Sequence, residues 1–71
     1  MADISHTVYV HYKKGAIPWQ RKLYAKSQGH ARSRLLDFIM EEDIKPEQFK
    51  GCEVHGPESS VYTLNYKGDR T

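Results

Sequence analysis

The sequence predicts a single α+β domain of order β-β-α-β-β, an antiparallel-rich sheet of about four strands with one helix packed on one face. Three observations carry this. The stretch Ser27–Asp43, SQGHARSRLLDFIMEED, places Ala31, Leu35, Phe38 and Ile39 at the three-and-four spacing of a helical stripe. The segments on either side are short and alternate apolar with polar residues, as half-buried strands do. The chain has 71 residues, 38% of them hydrophobic, enough for one core of one helical layer on one sheet layer. One domain over 1–71 is expected, with an ordered core at 6–67 and frayed ends at 1–5 and 68–71.

From Thr7 to Lys13, Val8, Val10 and Tyr12 point one way and Thr7, Tyr9, His11 and Lys13 the other. Gly15 and Pro18 break the pattern in KGAIP, so residues 14–18 are expected to form a five-residue hairpin connection. A second strand spans Trp19 to Lys26. Trp19, Leu23 and Ala25 share one face, interrupted by Arg21, and Gln20, Lys22, Tyr24 and Lys26 share the other. Ser27 is the helix N-cap, and Gly29 weakens the first turn by about 1 kcal/mol relative to alanine.

After the helix, Pro46 starts a single turn over Lys45–Phe49, stapled by Ile44 and Phe49 and ended by Gly51. A third strand covers Cys52–His55, GPESS supplies a turn, and Val61–Tyr66 is the last strand, with Tyr62, Leu64 and Tyr66 on one face.

The helix carries its charges against its own macrodipole. His30, Arg32 and Arg34 come early and Glu41, Glu42 and Asp43 late, each misplacement costing about 0.3–1 kcal/mol. Either neighbouring strands answer these charges, or they await a partner, with Glu41, Glu42 and Asp43 as a second possible contact.

Lys plus Arg total 11 against nine Asp plus Glu, a net charge of +2, far from the basicity of a dedicated duplex-DNA binder. A core this small has little room for an enclosed active site. The lone Cys52 excludes an internal disulfide and suits a reducing cytoplasm, the expected location. No apolar run reaches membrane-spanning length, and MADISHT lacks the start of a signal peptide, so no membrane partner is expected.

If the helix covers Val8, Val10, Leu23, Ala25, Val54 and Leu64, the opposite face presents Tyr9, His11, Lys13, Lys22, Tyr24 and Lys26. Phenol rings flanked by ammonium groups suit stacking on unpaired bases beside a phosphate chain, or anchoring on an acidic protein patch. Such residues also fill ordinary solvent-facing strand positions. Cys52 and His55 form C-x-x-H, but strand alternation turns them opposite ways, as it does His6 and His11, and His30 lies elsewhere. No metal, cofactor or catalytic residue is therefore expected, and Cys52 reads as a small buried filler.

Leu23-Tyr24-Ala25-Lys26-Ser27, followed by Ala31 and Leu35, resembles the A-x-S-x-x-x-A-x-x-x-L step of many small β-β-α-β proteins of phages and mobile elements. The likeness covers about residues 7–55 and is a fold signature, with Gly29-His30 where an acidic pair often follows the serine. Some proteins of this look inhibit host defence systems, anti-CRISPR proteins among them. The resemblance implies a non-enzymatic binding protein that occupies a host nucleic-acid-processing or defence complex. The alternatives are a direct single-stranded nucleic-acid binder using the same face, and a subunit that dimerises by strand-edge pairing.

Overall fold

In the computed structural model, residues 5–71 are described; the fraying expected of residues 1–4 lies outside them. Four strands, β1 (His6–Lys14), β2 (Ile17–Ala25), β3 (Phe49–His55) and β4 (Val61–Leu64), form one antiparallel sheet in the order β2-β1-β3-β4. The helix α1 (Gln28–Glu41) runs over β1 and β2. The predicted β-β-α-β-β architecture is the one observed.

The register explains the core. Val8, Val10 and Tyr12 lie opposite Leu23, Arg21 and Trp19 on one side, and Val8 and Val10 lie opposite Val54 and Cys52 on the other. Val8, Val10, Val54, Leu35 and Ala31 are fully buried, and Phe38 and Ile39 from the helix and Leu64 from β4 are nearly so. Burying each of the larger side chains contributes about 1.5–3 kcal/mol. Tyr12 meets Phe38 edge to face at 5.4 Å. Ile44 closes one end of the core, aided by Phe49 and Tyr66, whose rings pack at 5.6 Å. Ser27 caps the helix as expected, its Oγ accepting from the His30 N–H at 3.1 Å.

Several boundaries depart from the sequence reading. The β1–β2 connection is not five residues but two, Gly15 and Ala16, closed by the pair Lys14↔Ile17. Gly15 takes φ +62° at the first central position, where a side chain is disfavoured. Pro18 therefore lies inside β2, not in the turn. Because the closing pair of a two-residue hairpin is hydrogen-bonded, the next pair, Lys13↔Pro18, is not, and the proline nitrogen faces the open edge at no cost to the ladder.

β3 starts at Phe49 rather than Cys52. Gly51 does not end the single 3₁₀ turn (Pro46–Gln48); it pairs with His11, and Lys50 is the extra residue of a bulge before Phe49↔Tyr12. The last strand stops at Leu64 rather than Tyr66, because Asn65 folds the chain back: its Oδ1 accepts from the Lys67 and Asp69 N–H groups, both at 2.9 Å. Tyr66 still reaches the core, its hydroxyl donating to the Ile44 carbonyl.

The C-terminal residues 68–71, expected to fray, double back along β4. Leu64 bridges Arg70, the Thr71 N–H donates to the Thr63 carbonyl at 2.9 Å, and Gly68 is buried. At the other end Ser5 is held to Ala25 and Lys26, its Oγ donating to the Lys26 carbonyl at 2.8 Å.

Candidate interaction face

Strand alternation turns the odd-numbered residues of β1 and the even-numbered residues of β2 away from the helix. Cross-strand pairing then arranges them in rows. Tyr24, Thr7, His55 and Val61 form one row, and Lys22, Tyr9, Glu53 and Thr63 the next. Gln20, His11 and Gly51 follow, and then Pro18 and Lys13 at the hairpin end. Five of the six residues expected on this face, Tyr9, His11, Lys13, Lys22 and Tyr24, are brought together there.

Lys22 is the centre of the arrangement. Its Nζ lies 5.7 Å from the Tyr9 ring centre and 5.9 Å from that of Tyr24, so one ammonium group serves two aromatic rings. Tyr9 also meets His55 edge to face at 4.9 Å. The His11 Nε2 stands 3.6 Å from Glu53 Oε1. Tyr24 is 48% exposed, more open than the half-buried Tyr9.

Lys26 does not join the platform: β2 ends at Ala25, and Lys26 lies in the bend to the helix, its N–H donating to His30 Nδ1 at 3.0 Å. The acidic run is elsewhere too. Glu42 pairs with Lys14 at 3.6 Å. Asp43, in the left-handed region at φ 51° just past the helix, pairs with Lys45 at 2.8 Å. That hydrogen bond and charge hold the Lys45 ammonium above its ordinary range. Glu41 lines a small cleft with Arg21, Arg34 and Asp37. The late acidic charges are thus answered largely within the protein.

Glu53 and His55 belong to the face and were missed. The alternation of β3 could have found them, since they oppose the buried Cys52 and Val54, but the register that brings them beside Tyr9 was needed to give them meaning. A second signal lay in the charge order. No Asp or Glu occurs from Ser5 to Leu36, a span holding Lys13, Lys14, Arg21, Lys22, Lys26, Arg32 and Arg34. The hairpin is therefore cationic on both strands, and Glu53 on β3 marks the boundary of that field.

The remaining histidines and the cysteine hold structural positions. His6 is buried, its Nδ1 2.7 Å from Ser5 Oγ. Cys52 is 2% exposed, and burial pushes its thiol up to about 12, with Glu53 adding to the shift. Cys52 and His55 face opposite sides of the sheet. Among the described residues no group of three or more His, Cys, Asp or Glu side chains is placed to hold a metal ion. Among them, too, no helix is long and apolar enough to cross a membrane.

The fold and face together define a two-layer α+β domain with one sheet surface left uncovered by the helix. No protein-family model, curated protein or solved structure matches the chain.

Proposed function

We propose that this chain is a non-enzymatic binding protein that docks the outer face of its β1–β2 hairpin on an acidic protein surface of a host nucleic-acid-processing or defence complex. This is the role that the likeness to small phage and mobile-element proteins implies. The observation that carries the reading is Lys22 held between Tyr9 and Tyr24 on two strands without a carboxylate. Tyrosines bury large areas at little entropic cost and recur as interface anchors. Lysine flanked by rings supplies charge that steers an acidic partner.

Two features favour a protein over bare nucleic acid. Lys22 already sits over both rings, so a base stacking on Tyr9 has to displace it. Glu53 stands directly beside Tyr9 in the same row, where a phosphate chain crossing the sheet meets a like charge.

The test is affinity capture from a bacterial host lysate with the parent chain and with a Lys22→Glu/Tyr24→Ala variant, beside a gel shift on a generic oligonucleotide. The expected result is a protein retained by the parent and lost with the variant, without an oligonucleotide shift. A shift that weakens steeply with salt and vanishes in the variant transfers the face to single-stranded nucleic acid. Equal capture by both chains removes the face from the interaction.

A further inference from the structure

The helix carried cations at its start and anions at its end, and the fold answers the two ends differently. At the end, Lys14 and Lys45 pair with Glu42 and Asp43. At the start, among the described residues, neither Arg32 nor the nearby Arg70 makes an ion pair. Instead both line a cleft of about 300 Å³ between the first turns of α1 and the C-terminal tail, with Gln28, Gly29, Tyr62, Leu64, Gly68 and Asp69 completing its wall.

From this we infer a binding site for a phosphate group, independent of the outer sheet face. The tail builds the site. Asn65 ties the loop, the Leu64–Arg70 bridge fixes the strand, and the Arg70 guanidinium is set 4.5 Å over the Tyr62 ring. Opposite, Arg32 rests its stem on Gly68, where even a Cβ would come within 3.0 Å of Arg32 Cγ. Both arginine stems are thereby placed by packing rather than left loose in solvent.

The rest of the lining matches an oxyanion on a small organic body. The helix ladder supplies no acceptor to the first-turn N–H groups of Gln28 and Gly29, since Ser27 Oγ serves His30 and the Ser27 carbonyl serves Ala31. No acidic residue occupies that turn to neutralise the dipole. A Cβ on Gly29 would meet nothing among the described residues within 4 Å, so that wall is flat and open to a ligand's approach. Among the described residues the buried Tyr62 hydroxyl has no partner beneath this surface, and its phenol is held above the ordinary range by burial, against the pull of Arg70. Guanidinium forks from two sides together with backbone N–H donors suit a tetrahedral group with several acceptor oxygens better than a planar carboxylate. Asp69 is the one carboxylate in the lining, and the Tyr62–Leu64 floor is apolar.

The test is an amide and arginine Nε–H NMR titration with inorganic phosphate and, separately, with AMP, chloride holding ionic strength constant. Saturable shifts are expected at Gln28, Gly29, Arg32 and Arg70, with Tyr9 and Lys22 on the outer face unmoved. Arg32→Gln, which keeps the stem on Gly68 and removes the fork, is expected to weaken binding about tenfold. Tighter binding of AMP assigns the site to a phosphate monoester with an organic body, and equal binding assigns it to the phosphate group alone. Shifts that never saturate, or saturable shifts whose midpoint is unchanged in Arg32→Gln, overturn the assignment. Should Arg70→Gln loosen the tail, Arg32→Gln decides alone.

Discussion

Replacing Gly68 by alanine tests whether the C-terminal tail is part of the fold or an appendage. Gly68 has φ +84°, and a Cβ there would stand 3.0 Å from Arg32 Cγ, 3.3 Å from Arg32 Nε and 3.3 Å from Leu36 Cδ2. Placing an L-residue in the left-handed region costs about 1–2 kcal/mol. Forcing the Arg32 side chain off its rotamer adds about 0.5–1.5 kcal/mol. Stiffening the unfolded chain returns about 0.4–1 kcal/mol. The net loss is about 0.5–3 kcal/mol, which for a domain of this size lowers Tm by roughly 2–25 °C. Urea and thermal unfolding read that number, and hydrogen exchange at the Thr71 N–H, bonded to Thr63, reports whether the tail detaches. The matched control is Gly29→Ala, where a Cβ meets nothing within 4 Å and the backbone is helical; it is expected to stabilise by about 0.8–1 kcal/mol. The two substitutions must differ in sign. A Gly68→Ala chain as stable as the parent refutes the packing of the tail against α1.

Ser27→Ala removes the acceptor for the His30 N–H and is expected to cost about 0.5–2 kcal/mol in denaturant unfolding. The Cys52 thiol, raised from 9.0 to about 12 by burial, is favoured by the fold in its protonated form. Its contribution is therefore complete below pH 9.0 and is lost as pH climbs toward about 12, so the urea midpoint should fall across that window, and a thiol reagent should label Cys52 only after unfolding. Lys22→Glu, at an exposed position with no ion pair among the described residues, gives up two cation–π contacts of about 0.5–1 kcal/mol each, and the variant should lose about 1–2 kcal/mol yet stay folded by circular dichroism, so that any loss of binding reports on the face and not on folding.

The elements with strong local periodicity were legible from the residues. Ala31, Leu35, Phe38 and Ile39 announced the helix, and Val8, Val10 and Tyr12 the buried side of β1, because one buried face imposes one spacing. Where a residue obeys a partner rather than its neighbours, the sequence misled. Pro18 looked like a turn residue, and it becomes a strand residue only because β2 is an edge with its outward positions unpaired. Gly51 looked like a stop signal but serves a bulge whose need arises from β1. The sequence GDRT has no apolar pattern, and the tail is ordered by Asn65 and by pairing with β4, neither of which shows in composition. The candidate face followed the same division. Its tyrosines and lysines came from alternation, its Glu53 and His55 from register. Lys26 was lost because a strand boundary fell one residue early.

The same register bears on self-association. The outward-pointing positions of β2 are Pro18, Gln20, Lys22 and Tyr24, so a second copy adding antiparallel to this edge has few centred alignments. Centred on Arg21, the pairing sets Arg21 against its own copy. Centred on Lys22, it sets Lys22 against its own copy, and like charges directly opposite are destabilising. Centred on Gln20, it avoids both clashes but places Pro18, which has no N–H to give, opposite Lys22 at each end of the new ladder. At the far edge, the tail already pairs beside Thr63 and Leu64. The charge that makes the hairpin attractive to an acidic partner is therefore also what repels another copy of the chain. A sizing column run at high protein concentration is expected to give the mass of one chain, 8.3 kDa, and to keep doing so at low salt, where repulsion between the edges is strongest. A stable dimer that dissociates on Gln20→Pro, a change that removes only an outward N–H, would show instead that edge pairing prevails over the repulsion.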